Sequence, residues 1–264
     1  MKRNSLVLIL ALLAAPSAVH ASVLASGSFE NGYSQFASNY GGSEIVADST
    51  APNGTHSLRF NFPAGFTAGN APDIVTLVPE FFADQEEVYI QYYVKYSSNW
   101  IDNPGTNKMV YIWFGDIKNK PNLPVMGHSQ WDTSGVWAVL QAGGTISEQV
   151  WHSYDYSKFN FTYGVWHKIV LRVKMNTGGN HNGVFQMWVD DVLRINGSNG
   201  YFRNSGDSYG ITSFQMTPVY GGGGSPVPVT QYMWFDDVII QTTPFGASST
   251  QLGQPTPPSG LKIN

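Results

Sequence analysis

Hydrophobic and polar positions alternate with a period of two along most of the chain. Glu87-Val-Tyr-Ile-Gln-Tyr-Tyr-Val-Lys-Tyr96, Lys168-Ile-Val-Leu-Arg-Val-Lys174 and Val184-Phe-Gln-Met-Trp-Val189 are the clearest runs. Such alternation sends successive side chains to opposite faces of a strand. Further strands are predicted at 43–48, 56–62, 72–78, 107–114, 136–142, 192–196, 211–220 and 231–241. Turn-forming clusters separate them, notably Asn103-Pro-Gly105, Asn176-Thr-Gly-Gly-Asn180, Asn196-Gly197 and Gly221 to Gly224. The second of these joins 168–174 to 184–189 as a hairpin, and Asp190-Asp191 is predicted to turn tightly into Val192. Helical character is confined to one short turn, Pro79 to Glu87. About a dozen strands with short turns and no crossover helices predict an all-β fold, two antiparallel sheets packed as a sandwich.

The ends do not share this pattern. Lys2 and Arg3 precede an apolar run from Ser5 to Ala15, then Pro16 and Val19-His20-Ala21. That is the layout of a signal peptide, predicted over 1–21. The run is too short to span a bilayer, and no later segment is apolar over the roughly 20 residues a membrane helix needs. A secreted or periplasmic protein without a membrane span is therefore expected. The sandwich is predicted over 22–243, and the Pro/Ser/Gly-rich stretch 244–264 reads as a tail or linker.

Composition narrows the chemistry. With no cysteine, thiol nucleophiles and cysteine-ligated zinc are excluded. A net charge of −4 with 12% charged residues argues against a nucleic-acid partner, which requires a basic stripe. The chain has 8 Trp, 14 Tyr and 15 Phe, and this surplus suits both a β core and a sugar-binding surface. Aromatic faces stack on the C–H faces of pyranose rings. Two acidic spots, Ser28-Phe-Glu-Asn-Gly32 and Met233-Trp-Phe-Asp-Asp-Val238, flank the domain. If first and last strands pair, Glu30 meets Asp236 or Asp237, a carboxylate group suited to a structural Ca²⁺. Exposed turn and strand-edge acids are the other reading of the same residues.

Several short phrases carry a resemblance. Tyr89 to Tyr96, Asn107-Lys-Met-Val-Tyr-Ile-Trp-Phe114, Trp166-His-Lys-Ile-Val170, Gln186-Met-Trp-Val-Asp-Asp191 and Trp234-Phe-Asp-Asp-Val238 resemble the concanavalin-like jelly rolls. Among these they are most similar to polysaccharide lyases of the alginate, glucuronan and heparin lyase type, over roughly residues 25–243. The resemblance implies an open groove on the concave sheet that takes an acidic polysaccharide, with the protein acting as a monomer. It implies that Tyr220, closing Phe214-Gln-Met-Thr-Pro-Val-Tyr220, is a proton-transfer residue in β-elimination. Where the family has Gln-Ile-His, this chain has Tyr111-Ile112-Trp113, so the family's basic histidine is missing. His128 is the candidate to replace it, and Tyr111 is an alternative base.

Elimination next to a carboxylate needs a base together with cations or donors for the developing negative charge. Arg59, Lys108, Arg203 and Gln186 are the candidate charge partners. On the competing reading, a binding module on the same fold, Trp113, Trp137, Trp188 and Tyr220 stack on sugars and nothing is cleaved. A structural surface or matrix protein is the third reading. Glycosidase chemistry of the Glu-x-Asp-x-x-Glu type, serine hydrolase elbows and His-Glu-x-x-His zinc sites have no match in the sequence.

Overall fold

The computed structural model describes residues 22–77, 84–116, 121–128, 135–142, 146–152, 159 and 161–246. Among these are fifteen strands and no helix. Strands β1 (Val23–Gly27), β3 (Ser43–Ala47), β4 (His56–Phe62), β6 (Glu87–Tyr96), β11 (His167–Lys174), β12 (Gly183–Val189), β13 (Val192–Gly200) and β15 (Gln231–Gln241) build an eight-stranded sheet. Its order is β13-β12-β11-β6-β15-β4-β3, with β1 also paired to β15. Strands β2 (Phe36–Ser38), β5 (Val75–Leu77), β7 (Asn107–Phe114), β8 (Asn122–His128), β9 (Trp137–Leu140), β10 (Gln149–His152) and β14 (Ile211–Tyr220) build the other sheet. Its order is β10-β9-β8-β7-β14-β5-β2, and every pair in both sheets is antiparallel.

The alternating pattern has the consequence it predicts. In β6, Val88, Ile90, Tyr92, Val94 and Tyr96 enter the core, and Glu87, Tyr89, Gln91, Tyr93 and Lys95 take the other face. Aromatic contacts weld the sheets: Tyr92 of β6 lies 5.8 Å from Phe235 of β15 and 6.1 Å from Phe214 of β14 across the sandwich. Such packed rings add to plain area burial.

Asp190 and Asp191 both have positive φ (50° and 66°), the mirror-image turn that suits a two-residue hairpin between β12 and β13. Asp190 is fixed there by His167 Nδ1 at 2.7 Å and by the Lys168 N–H at 2.9 Å. His167 is therefore a structural residue.

Strands β6, β7, β14 and β15 fall where the alternation puts them. Strands β1, β2, β8 and β10 were not read from the sequence, because each is short or interrupted by Gly, Pro or polar residues. Most of the helical turn expected at Pro79 to Glu87 lies outside the described residues, and Glu87 opens β6 instead.

Candidate functional site

Four strands of the seven-stranded sheet carry a polar and aromatic row on the face turned away from the core. On β7, Ile112 and Phe114 join the core cluster while Tyr111 and Trp113 stay half-exposed on the other face. Their rings lie 6.1 Å apart and nearly parallel, at 16°. Lys108 sets its ammonium 5.4 Å from the Tyr111 ring centroid. Trp113 is anchored by donating from Nε1 to Gln215 Oε1 on β14 at 2.7 Å. Gln215 is opposite Tyr111, Ser213 is opposite Trp113, and the bulge at Met216–Val219 brings Val219 opposite Lys108. On the far side Lys108 faces Met126 of β8, and Met126 faces Trp137 of β9. Lys108, Tyr111, Trp113, Gln215 and Trp137 thus occupy one surface.

That surface is only partly satisfied. Ser213 Oγ, Thr217 Oγ1 and Asn122 Oδ1 are buried without a hydrogen-bond partner. Hydroxyls and amides in that state are costly unless a ligand or water completes them. Lys108 has no carboxylate within ion-pair distance among the described residues. Arg59, Lys95, Lys168, Arg172, Lys174 and Arg203 each have one.

Other residues expected at the site lie elsewhere. Tyr220 ends β14 but turns into the core, 2% exposed and packed edge-on against Trp100 at 6.2 Å. Burial, with Asp102 adding to it, pushes its phenol above the ordinary value, which disfavours the phenolate. Arg59 belongs to the opposite sheet, on β4, where it is tied to Glu44 at 2.5 Å. Gln186 and Trp188 belong to β12 of that same sheet. Gln186 accepts from Arg172 at 3.0 Å, and Trp188 is 6% exposed. Arg203 is 9% exposed and gripped by both oxygens of Glu86, at 2.7 Å each. Residue chemistry alone does not say which sheet or face a position joins, and the structure does not bring these four together with Lys108 and Tyr111. Of His128 only the backbone is placed, opposite Asn107; its side chain lies outside the described residues. Ser213, Gln215 and Thr217 were missed, although their alternation with Phe214 and Met216 was the available signal.

The two acidic spots do meet. Gly27 pairs with Val238, so β1 delivers Glu30 to the bulge at Asp236–Asp237. Glu30 accepts from the Thr55 and His56 N–H groups at 2.9 and 2.7 Å, which holds its carboxyl well below the usual range. Asp237 accepts from the Asn53 amide and has positive φ (47°). Asp236 is fully buried; its Oδ1 accepts the Asp237 N–H at 2.8 Å and its Oδ2 has no partner. Burial, with Asp237 and Glu30 adding to it, pushes its pKa up to about 8. No set of three His, Cys, Asp or Glu is arranged as a metal site among the described residues. An ion there would need main-chain or amide oxygens beside Asp236, which Ca²⁺ accepts.

Comparison with known proteins agrees with this architecture. The family model described as polysaccharide lyase 14 matches residues 138–238. An alginate lyase from a Chlorella virus superimposes with a TM-score of 0.63 at 15% identity, covering 78% of this chain and 91% of that one. An alginate lyase from Aplysia kurodai gives 0.59 at 14% identity, over 84% and 100% of the two chains. The endo-β-1,4-glucuronan lyase of Trichoderma reesei gives 0.56 at 14%, over 78% and 90%. No curated protein is significantly similar in sequence. The likeness to polysaccharide lyases read from short motifs thus stands on a family match in sequence and on a shared jelly-roll sandwich.

Proposed function

We propose that the protein cleaves an acidic, uronate-containing polysaccharide by β-elimination on the outer face of the seven-stranded sheet. Tyr111 is the proton-transfer residue, Lys108 meets the uronate carboxylate, and Trp113 and Trp137 stack on flanking sugar rings. The observation that carries this reading is Lys108, a cation without a carboxylate partner among the described residues, beside a pair of parallel aromatic rings. The base removes the C5 proton, its electron pair forms the C4=C5 double bond, and the C4–O bond breaks, with a proton passing to the leaving oxygen. Lys108 stabilises the negative charge that grows on the carboxylate, and Tyr111 lies within reach of the same substrate atoms. The family match and the lyase neighbours support the reaction class. Export, expected from residues 1–21, fits a substrate too large to cross a membrane.

The face also suits a module that binds without cutting, since no described carboxylate or histidine stands beside Tyr111. Absorbance at about 235 nm, where unsaturated uronates absorb, separates the two as alginate and glucuronan are offered in turn. The expected result is a rise that Tyr111→Phe removes and Tyr220→Phe leaves in place. A flat trace with the folded protein retained on either polymer overturns the lyase reading in favour of the binding module.

A calcium ion at Asp236 belongs to this proposal as a structural element, drawing on the carboxylates of Glu30 or Asp237. Its support is the buried, unpaired Asp236 Oδ2, and it takes no part in the chemistry.

A further inference from the structure

The opposite sheet carries a second ordered row. Register aligns Glu44 of β3 with Arg59 of β4, Arg59 with Trp234 of β15, and Trp234 with Lys95 of β6. Because His167 pairs with Val94, Trp166 continues the row beside Lys95. Lys95 sits between two indoles, its ammonium 4.6 Å from the Trp166 ring centroid and 4.8 Å from that of Trp234. Arg59 lies 4.8 Å over Tyr232, whose ring is 5.6 Å from Trp234. Trp166, Trp234 and Tyr232 are all half-exposed. A cavity of about 410 Å³ opens beside them, lined among others by Thr50, Ser97, Asn99, Tyr232 and Trp234.

The charges of this row cancel within it. Lys95 is 8% exposed and donates to Asp48 at 2.5 Å and Thr50 at 2.8 Å. Arg59 is spent on Glu44. The cations therefore brace the rings and offer no charge to a ligand. Cation–π pairs of this kind hold aromatic side chains in place before anything binds. Trp234 and Trp166 stand two strand spacings apart, roughly 10 Å, so alternate rings of one extended glycan can rest on both.

We propose that this face is a second carbohydrate-binding surface, specific for a neutral polysaccharide. Trp166, Trp234 and Tyr232 supply stacking faces, and Ser97 and Asn99 supply hydroxyl and amide partners. It lies on the sheet opposite Lys108 and Tyr111 and does not depend on the reaction proposed there. Its function is to hold the protein on uncharged wall or matrix polymer while the other face meets an acidic one.

Affinity electrophoresis of the full chain in gels containing hydroxyethylcellulose, glucomannan or laminarin tests this directly. Retardation by at least one neutral polymer is expected. Trp166→Ala and Tyr232→Ala should each raise the dissociation constant roughly tenfold, the scale of losing one aromatic anchor, with thermal unfolding confirming that the variants fold. Lys108→Ala, on the other face, should leave retardation unchanged. Free mobility of the folded wild-type protein in all three gels overturns the proposal, as does retardation that survives both aromatic substitutions or vanishes with Lys108→Ala. The 235 nm assay reads the other face separately, so failure of either proposal is distinguishable from failure of the other.

Discussion

Asp236 shows how much one side chain can reveal. It is fully buried, lies beside two other carboxylates and keeps one oxygen unpaired. An acid whose folded pKa is raised binds its proton more tightly folded than unfolded, so its contribution falls as pH rises from its unfolded value near 4 to about 8. Glu30 acts in the opposite sense: its lowered pKa adds stability above its unfolded value, lost only as the medium becomes strongly acidic. In EGTA, the melting temperature should therefore decline between about pH 5 and 8, and Asp236→Asn should flatten that decline. Calcium should raise the wild-type melting temperature at pH 7.5 and leave Asp236→Asn unmoved. An identical pH slope in the variant would refute the buried-proton account, and a wild-type melting point indifferent to calcium would remove the ion.

At the scale of elements, β8 lies against the core through a glycine. A Cβ on Gly127 would come within 1.9 Å of the Tyr96 hydroxyl and 3.2 Å of Met109. Tyr96 cannot swing away, because Trp100, Phe161 and Tyr163 pack around its ring at 4.9 to 6.0 Å. Overpacking of that kind costs about 1–3 kcal/mol. In a denaturant titration, Gly127→Ala should show a loss of this size. Adding Tyr96→Phe, which removes the clashing oxygen, should restore most of it. Equal losses in the single and double variants would mean that β8 simply shifts to make room. The strand was invisible in the sequence for a related reason: Asn122, Pro124 and Gly127 break its pattern, and its place is fixed by the neighbours β7 and β9.

On the scale of the whole molecule, the two ends of the domain close on one strand. β15 pairs with β4 over Gln231–Phe235 and, past the bulge, with β1 over Val238–Gln241. Without β1, the backbone of that last segment keeps β6 on one side but loses its partner on the other, and Ala25 no longer fills its place in the core. A chain starting at Ser28 should melt roughly 5–15 °C below one starting at Ser22, from a few hydrogen bonds of about 1 kcal/mol each plus lost burial. Unchanged melting would show that β1 is an appendage. The two proposed surfaces lie on opposite sides of the sandwich, since each sheet buries one face and presents the other.

The alternation of apolar and polar residues by itself determined the long strands, the Asp190-Asp191 turn and the sandwich class, because period-two burial is a local property of each strand. The meeting of Glu30 with Asp236 also followed, from the expectation that first and last strands pair. What only the tertiary structure decided is which sheet each strand joins and which way each polar side chain points. Arg59, Gln186, Trp188 and Arg203 have the right chemistry for a sugar site, yet they lie away from Lys108 and Tyr111, three on the opposite sheet and Arg203 against Glu86. Tyr220 keeps its place at the end of β14 and shares the face of Phe214 and Met216, which the structure turns into the core. Period two sorts the residues of a strand into two faces, but the neighbouring strands and the opposing sheet decide which of those faces is buried, and that choice leaves no mark in the pattern of the strand itself.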